Sequence, residues 1–511
     1  MPKFYITTAI DYANGEPHLG HAFEKLGADA IARYHRLRGD DVWFLIGMDE
    51  HGQKVAQTAA EQELTPPQLA DRIAEIFQAV WKRLCISHDQ FIRTSAPQHH
   101  EGVRELLELI FAHSPDDFYE RSYEGWYCVG CEAFKQEAEI VDGKCVLHST
   151  RTLEWVEERN WFFRLSRYRD FLLDHLQTHP DFLQPESRRN EILSLLRQGL
   201  DDISASRSRF SWGVPFPRPT SDGEQQTTYV WFDALPNYWT ATRFPGSRAA
   251  WPADLHVIGK DITRFHCVIW PAMLRAAGLA LPEHVFAHGF VQYAGERFSK
   301  SAGVKLDLSD AIDRYGADAF RYFLLREVPF DADGNFSWER FEERYTADLA
   351  NSFGNLASRT AAMIEKYLDG VVPAVDPGRL ASEAGWVAAE QEHYFHAMDR
   401  QLLHEALAAT WRIVARANEY VDHQAPWKLA KDPERRAELE TTLATLTWTL
   451  AWLAVMVSPF MPGKAAQLWE SLGAPGSVGG FEWRPSAGAE QIAPAGWTVR
   501  KGAPLFPRED A

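Results

Sequence analysis

The opening of the chain, Lys3–Gly47, restricts it to few architectures. Lys3–Ala9 is rich in β-formers, Asn14-Gly15-Glu16-Pro17 is turn chemistry, and Leu19–Leu37 carries apolar residues at helical spacing. Gly39-Asp40 closes that helix, and Asp41–Gly47 is a short, mostly apolar strand of the buried kind. Two such strands joined through one helix pair in parallel, and a parallel sheet needs helices on both faces. Helical patterns over Thr65–Cys85 and Pro97–His113 supply them, so the expected fold is α/β, a Rossmann-type doubly wound sheet.

The pattern breaks near Ser114. The stretch to about Gly223 holds a cysteine cluster, Arg-bearing segments and prolines 180, 185, 215, 217 and 219. The βα signals then return: strands at Thr228–Phe232 and Leu255–Ile258, a helix through Ile262–Ala277, and a strand at His284–Val291. This predicts one α/β domain, residues 1–113 and 226–330, split by an insertion at 114–225. A linking segment at 331–350 precedes an all-α domain at 351–511, with loops near Pro373–Gly378 and Ala425–Trp427 and an irregular tail from about Ser477.

Composition narrows the class. With 511 residues, 45% hydrophobic and 24% charged, the chain is not collagenous, low-complexity or wholly disordered. A net charge of −18 excludes a basic nucleic-acid coat, though not a local basic track. Five cysteines in such a length are no disulfide framework. The start MPKFYITTAI lacks the pattern of a signal peptide, and the apolar run Leu450–Val457, closed by Pro459, falls far short of the ~18 residues a membrane span needs. The expectation is a cytoplasmic protein without a membrane segment.

Two short motifs bear on chemistry. His18-Leu19-Gly20-His21 opens the first helix, where unpaired N–H groups and the helix dipole favour phosphate. Gly20 lets a nucleotide approach the backbone, and His18 and His21 can donate to phosphate oxygens as charge builds. Alone, these four residues are equally at home as a capping and a buried histidine. Glu296-Arg297-Phe298-Ser299-Lys300-Ser301-Ala302-Gly303 is a glycine-flanked polar loop after a strand, and Lys300 on a moving loop can close on a triphosphate. Alone, it reads as a solvated charged loop. Cys128-x-x-Cys131, thirteen residues, then Cys145-x-x-His148 has the spacing of a closed tetrahedral zinc site, which is structural and does not activate water.

In this order, at opposite ends of a split α/β domain, HLGH and RFSKS resemble the HIGH and KMSKS signatures of the class I aminoacyl-tRNA synthetases. The likeness extends to the methionine-specific members: Tyr12-Ala13-Asn14-Gly15, Gly47-Met48-Asp49-Glu50-His51-Gly52, Tyr229-Val230-Trp231-Phe232-Asp233-Ala234, Ile258-Gly259-Lys260-Asp261-Ile262, Gly354-Asn355-Leu356-Ala357-Ser358-Arg359 and Gln424-Ala425-Pro426-Trp427-Lys428. The resemblance implies that the insertion is a zinc-binding connective segment, that 331–350 touches the tRNA stem, and that the helical bundle binds the anticodon. It implies as substrates methionine, ATP with Mg²⁺, and tRNA(Met).

It also implies site residues. His18, Gly20, His21, Arg297, Ser299 and Lys300 would serve ATP, with His18, His21 and Lys300 catalytic. Asp49 would hold the substrate ammonium, with His266 and Tyr12 near the thioether. Aromatic walls suit a polarizable sulfur, which Tyr12, Trp231 and Tyr238 offer, with Ile10, Ala234, Leu235 and Ile262 as fill. Without the family likeness, Trp231 and Tyr238 read as core and Asp49 as a helix N-cap. Asn355, Arg359 and Trp427 match positions that read the CAU anticodon, Trp427 by stacking an unpaired base. Arg159, Arg164, Arg167, Arg169, Arg188 and Arg189 could follow a phosphate backbone or form a solvated mixed face with Asp170, Asp174, Asp181 and Glu186.

The chain departs from the family pattern at Arg297 and Phe298, where Lys and Met are usual, at Ala302–Lys305, at Asp11, where Pro or an aromatic is familiar, and at Met48, where Thr is common. An insertion of about 110 residues (114–225) is too short for the large editing domain of the Ile, Val and Leu enzymes. A binding protein that had lost ligation would have no need of HLGH, Lys300, Asp49 and Trp427 together, and a zinc-dependent RNA-binding module would not explain the split sheet. The end of the chain soon after the helical domain favours a monomer. Lys300→Ala should slow adenylate formation in rapid-quench assays with little change in methionine affinity; an unaltered rate would remove Lys300 from the chemistry.

Overall fold

A computed structural model describes residues 2–128, 133–135, 139–146, 148–208, 211–293, 296–297 and 308–507. Its centre is a parallel sheet in the order Leu183–Gln184, His284–His288, Leu255–Gly259, Lys3–Thr8, Asp41–Asp49. Gln90–Arg93 pairs with Asp41–Asp49 on one side, and the two-residue strand Asp11–Tyr12 pairs with its end, Asp11 opposite Met48 and Tyr12 opposite Asp49. All these pairings are parallel.

Alternate residues of each strand enter different cores, as a pleat of period two requires. Ile6, Phe44, Ile46, Met48, Val257 and Phe286 face one core with helices Leu19–Leu37 and Pro66–Arg83. Tyr5, Leu45, Ile92, Ile258, Val285 and Ala287 face the other with Pro97–His113 and Trp270–Ala276. The first core continues without a break into the helical bundle of Trp386–Asp399, Leu403–Gln424 and Arg436–Val457. Pro433–Val457 is the one described helix long and apolar enough to cross a membrane; 94% of its apolar window is buried, because it is the centre of that bundle.

The insertion contributes a long antiparallel pair, Phe118–Cys128 with Glu154–Phe163, before the chain returns to the sheet at Leu183. Several elements differ from expectation. Thr228–Phe232 is not a strand: only Thr227–Thr228 pairs, with Ser206–Arg207, and Val230–Ala234 turns into a short helix once Tyr229 N–H bonds to the Ala205 carbonyl. The strand expected at His284–Val291 breaks after His288, where the Gly289 N–H turns to the Phe330 carbonyl at 3.1 Å and Val291–Tyr293 pairs instead with Gly334–Phe336. Within the segment expected to link the domains, 331–350, a helix runs over Trp338–Arg344 and widens into π turns at Tyr345–Gly354. The helix expected through Ile262–Ala277 likewise starts with π turns at Phe265–Ile269 before Trp270–Ala276; Pro271, with no N–H, cannot close an ordinary turn there. The tail packs irregularly as expected, with Trp483, Val499, Leu505 and Phe506 buried.

One buried ion pair ties these parts together. Arg321, fully buried, donates to Asp29 Oδ2 at 2.7 Å and to the carbonyls of Leu84, Pro459 and Phe460 at 3.0, 2.9 and 2.7 Å. Burial alone would raise the Asp29 carboxyl, but Arg321 and Arg33 overcome it and hold it at about 2. Stability from this pair is therefore present above the ordinary carboxylate pKa of about 3.9 and is lost as pH falls through about 2. Arg321→Met strands a buried carboxylate and should cost about 3–5 kcal/mol in urea unfolding at pH 7. The difference from wild type should shrink as pH is lowered below about 4; a pH-independent difference would contradict the pair's role.

Candidate active site

The order of strands along the sheet reverses between Lys3–Thr8 and Leu255–Gly259, whose C-terminal ends open one crevice. In open α/β sheets this is where ligands bind. Helix Leu19–Leu37 starts at its rim, capped by His18. The N–H groups of Gly20 and His21 donate to His18 Nδ1 at 3.1 and 3.4 Å, and the N–H of His18 donates to His21 Nδ1 at 3.2 Å. The rings stack, centroids 3.7 Å apart.

A reciprocal cap built from two histidines has a chemical consequence. A neutral imidazole that accepts at Nδ1 carries its proton on Nε2, so in each ring the capping bond places the N–H on the other ring nitrogen. The structure also supplies a reason for Gly20 that the sequence did not. A Cβ there would lie 3.0 Å from His18 Cε1 and 3.2 Å from Nδ1, so the residue must be small to let the first ring lie over the helix end.

The neighbouring side of the crevice collects the expected substrate residues. Ile10 and Tyr12 come from the chain leaving the first strand, and Asp49, 9% exposed, ends its neighbour. Asp49 caps no helix: Gly52, at φ +104°, is the N-cap of Gln53–Glu61. Trp231, Ala234 and Leu235 lie on and just after the short helix Val230–Ala234, and Trp231 stacks on Phe265 with centroids 3.6 Å apart. Tyr238, buried, donates its hydroxyl to His266 Nε2 at 2.7 Å, since His266 Nδ1 donates to the Ile262 carbonyl at 3.0 Å. Burial lowers His266 to about 4 and raises the Tyr238 phenol, so both are neutral at pH 7. Such a wall accepts an apolar, polarizable side chain and does not compensate a charged one.

Two buried networks frame this pocket, and the sequence reading missed both. Asp233, between Trp231 and Ala234, accepts from His51 Nδ1 at 2.6 Å and His99 Nε2 at 3.0 Å. Burial would raise its carboxyl, but the two imidazoles hold it well below the usual range. The bond fixes the segment carrying Asp49 to the helix carrying Trp231. The second network joins Lys25 to Asp11 and Glu24, and Glu24 to His288. The signal available for it was a lysine inside a helix otherwise buried around it.

Other expected residues fare differently. Lys300 and Ser299 lie outside the described residues, as do Cys131 and the side chains of Arg297 and His148. Cys128 and Cys145 are buried in one small cluster with Leu153, and Cys145 pairs with His148 across adjacent strands. Among the described residues no group of three or more His, Cys, Asp or Glu side chains is arranged to hold a metal ion; Cys128 and Cys145 nonetheless share one cluster, which a Cys₃His set requires. In the helical domain Asn355 and Arg359 stand one turn apart on Asn355–Leu368, and the Arg359 guanidinium lies 5.8 Å from the ring centroid of Trp427, which is 37% exposed. Of the insertion's arginines, Arg167, Arg169, Arg188 and Arg189 pair with Asp117, Asp170, Glu191 and Glu186, while Arg159 donates to Ser221 and Arg164 to the Asp116 carbonyl.

A phosphate-ready helix end in the crevice of a split parallel sheet, followed by a helical bundle, is the arrangement of class I aminoacyl-tRNA synthetases. A family model described as tRNA synthetases class I (M) matches residues 4–152 and 136–361, and the anticodon binding domain of methionyl tRNA ligase matches 380–503. Proteins named methionine–tRNA ligase from Caldanaerobacter subterraneus subsp. tengcongensis and Streptomyces coelicolor are 44% and 42% identical, each over 99% of this chain and over 79% and 96% of their own. The structure of Mycobacterium tuberculosis methionyl-tRNA synthetase in complex with methionyl-adenylate has a TM-score of 0.92 at 42% identity, covering 99% of this chain and 100% of that one. The chain belongs to the methionine–tRNA ligase family.

Gly20→Ala should lower the rate of amino-acid activation by at least ~10-fold, the scale on which a misplaced transition-state donor acts. Thermal stability should change little, since the better helix propensity of alanine offsets a disturbed His18 cap. Unchanged activation would show that the His18 ring needs no such space.

Proposed function

We propose that the chain joins methionine to tRNA(Met) in two steps. Methionine and ATP give methionyl-adenylate and pyrophosphate, and the aminoacyl group then passes to the 3′ end of the tRNA. What supports this reading is the neutral cluster of Trp231, Tyr238 and His266, with Tyr12 and Asp49 paired at the ends of neighbouring strands and the His18-capped helix starting at the same crevice. A zwitterionic amino acid held by its ammonium at Asp49 would point its carboxylate toward the helix end, where a bound α-phosphate takes in-line attack. The carboxylate–phosphorus bond forms as the bond to pyrophosphate breaks, so positioning and charge stabilisation supply the catalysis.

His18, His21 and Lys300 are the catalytic groups of this reading, with Gly20, Arg297 and Ser299 completing the ATP site. Ile10, Ala234, Leu235 and Ile262 fill the space around the thioether. Mg²⁺ arriving with ATP would screen the triphosphate. Cys128, Cys131, Cys145 and His148 would hold a structural Zn²⁺ that folds the insertion. Asn355, Arg359 and Trp427 would read the anticodon. The reading keeps the domain limits given above and makes the protein a cytoplasmic monomer.

Charging of purified tRNA(Met) tests this directly. Wild type should attach methionine, and Trp427→Ala should reduce charging by at least ~10-fold, as loss of one base stack worth about 1–3 kcal/mol requires. Methionine-dependent pyrophosphate exchange should be unaffected in that variant. Equal loss of both activities would contradict an anticodon role for Trp427, and no charging by wild type would contradict the function.

A further inference from the structure

Lys25 lies on helix Leu19–Leu37 one turn beyond His21, and none of its side chain reaches solvent. Its ammonium has three hydrogens and three acceptors: the Ala9 carbonyl at 2.9 Å, Asp11 Oδ1 at 3.0 Å and Glu24 Oε1 at 2.8 Å. A buried cation is tolerated only when satisfied in this way. Ala9 is thereby held from two sides, since its N–H donates to the Val257 carbonyl of the second half at 3.1 Å. Glu24 extends the connection, its Oε2 lying 3.2 Å from Nε2 of His288.

Asp11 is 4% exposed, and among the described residues its Oδ2 has no hydrogen-bond partner. It therefore depends on Lys25 for its charge. It also stands between Ile10 and Tyr12, the two pocket residues on this segment, and directly opposite Met48 in the strand pair that aligns Tyr12 with Asp49.

We propose that Lys25 and Asp11 are a buried positioning pair, which fixes the Ala9–Tyr12 segment to the helix that carries His18 and His21 and so sets the methionine subsite against the phosphate subsite. Neither residue touches substrate. The pair also accounts for the acidic residue at position 11, where the family pattern has a proline or an aromatic: the carboxylate answers a lysine on the facing helix. Burial pushes the Asp11 carboxyl up to about 7 against the pull of Lys25, so on loss of the lysine it can take up a proton and the fold survives, while the Ala9 carbonyl loses its donor.

This inference rests on the proposed function, and pyrophosphate exchange separates the two. Lys25→Met and Asp11→Leu should each raise the KM for methionine ~10-fold or more while the KM for ATP changes by less than about twofold. Asp11→Asn keeps an acceptor for Lys25 and should stay within about threefold of wild type in both. General damage to the fold would instead move both KM values or lower kcat alone. Should Lys25→Met fail to fold, the contrast between Asp11→Leu and Asp11→Asn carries the test. Wild type active but both variants unshifted, or shifted equally for methionine and ATP, would overturn the pair's role alone. No methionine-dependent exchange by wild type would overturn the functional reading, and this inference with it.

Discussion

Arg321 and Asp29 hold together parts of the chain that are far apart in sequence. Asp29 belongs to the helix that His18 caps, Arg321 to the helix Ala317–Glu327, and the carbonyls of Pro459 and Phe460 to the turn after the longest bundle helix. With all of these groups buried, none can move without stranding a charge or a carbonyl. The helix that His18 caps is thus locked at its middle to the bundle that carries Asn355, Arg359 and Trp427. Asp29 Oδ1 also accepts from the Ser87 N–H and hydroxyl, both at 2.6 Å, so the same carboxylate anchors the approach to strand Gln90–Arg93.

Around this anchor the site divides by charge. On the methionine side, His266 and Tyr238 are neutral and face apolar fill, while Asp49 is the carboxylate at the end of its strand. On the other side stands the start of helix Leu19–Leu37, whose dipole favours negative charge. The polar groups between them, Lys25 with Glu24 and Asp233 with His51 and His99, are buried and joined by hydrogen bonds. They fix geometry where free charges would compete with the substrate's own ammonium and carboxylate.

The architecture was legible because its signals are local and strong. Helix Pro97–His113 was bounded correctly from its pattern and its proline start, and HLGH announced a helix N-terminus that the structure places at the crevice. Val230–Ala234 was misread because Tyr229–Phe232 is all β-former by composition, while backbone bonds from Ser206–Arg207 and Ala205 end the strand at Thr228. The π turns at Phe265–Ile269 and Tyr345–Gly354 share helical periodicity with ordinary helices and leave no pattern of their own. Buried polar pairs were the hardest to foresee. Asp11 with Lys25, and His51 with Asp233, meet only once the chain has folded, and a charged residue in sequence reads first as surface.

The central claim is that the crevice between Lys3–Thr8 and Leu255–Gly259 brings an ATP α-phosphate and a methionine carboxylate into one reacting pair. Amino-acid-dependent ATP–pyrophosphate exchange on the purified chain, run separately with all twenty amino acids, tests it most directly. The account predicts exchange with methionine and none with charged amino acids, because the Tyr238–His266 wall is neutral. Exchange with a charged amino acid, or with none, would contradict it.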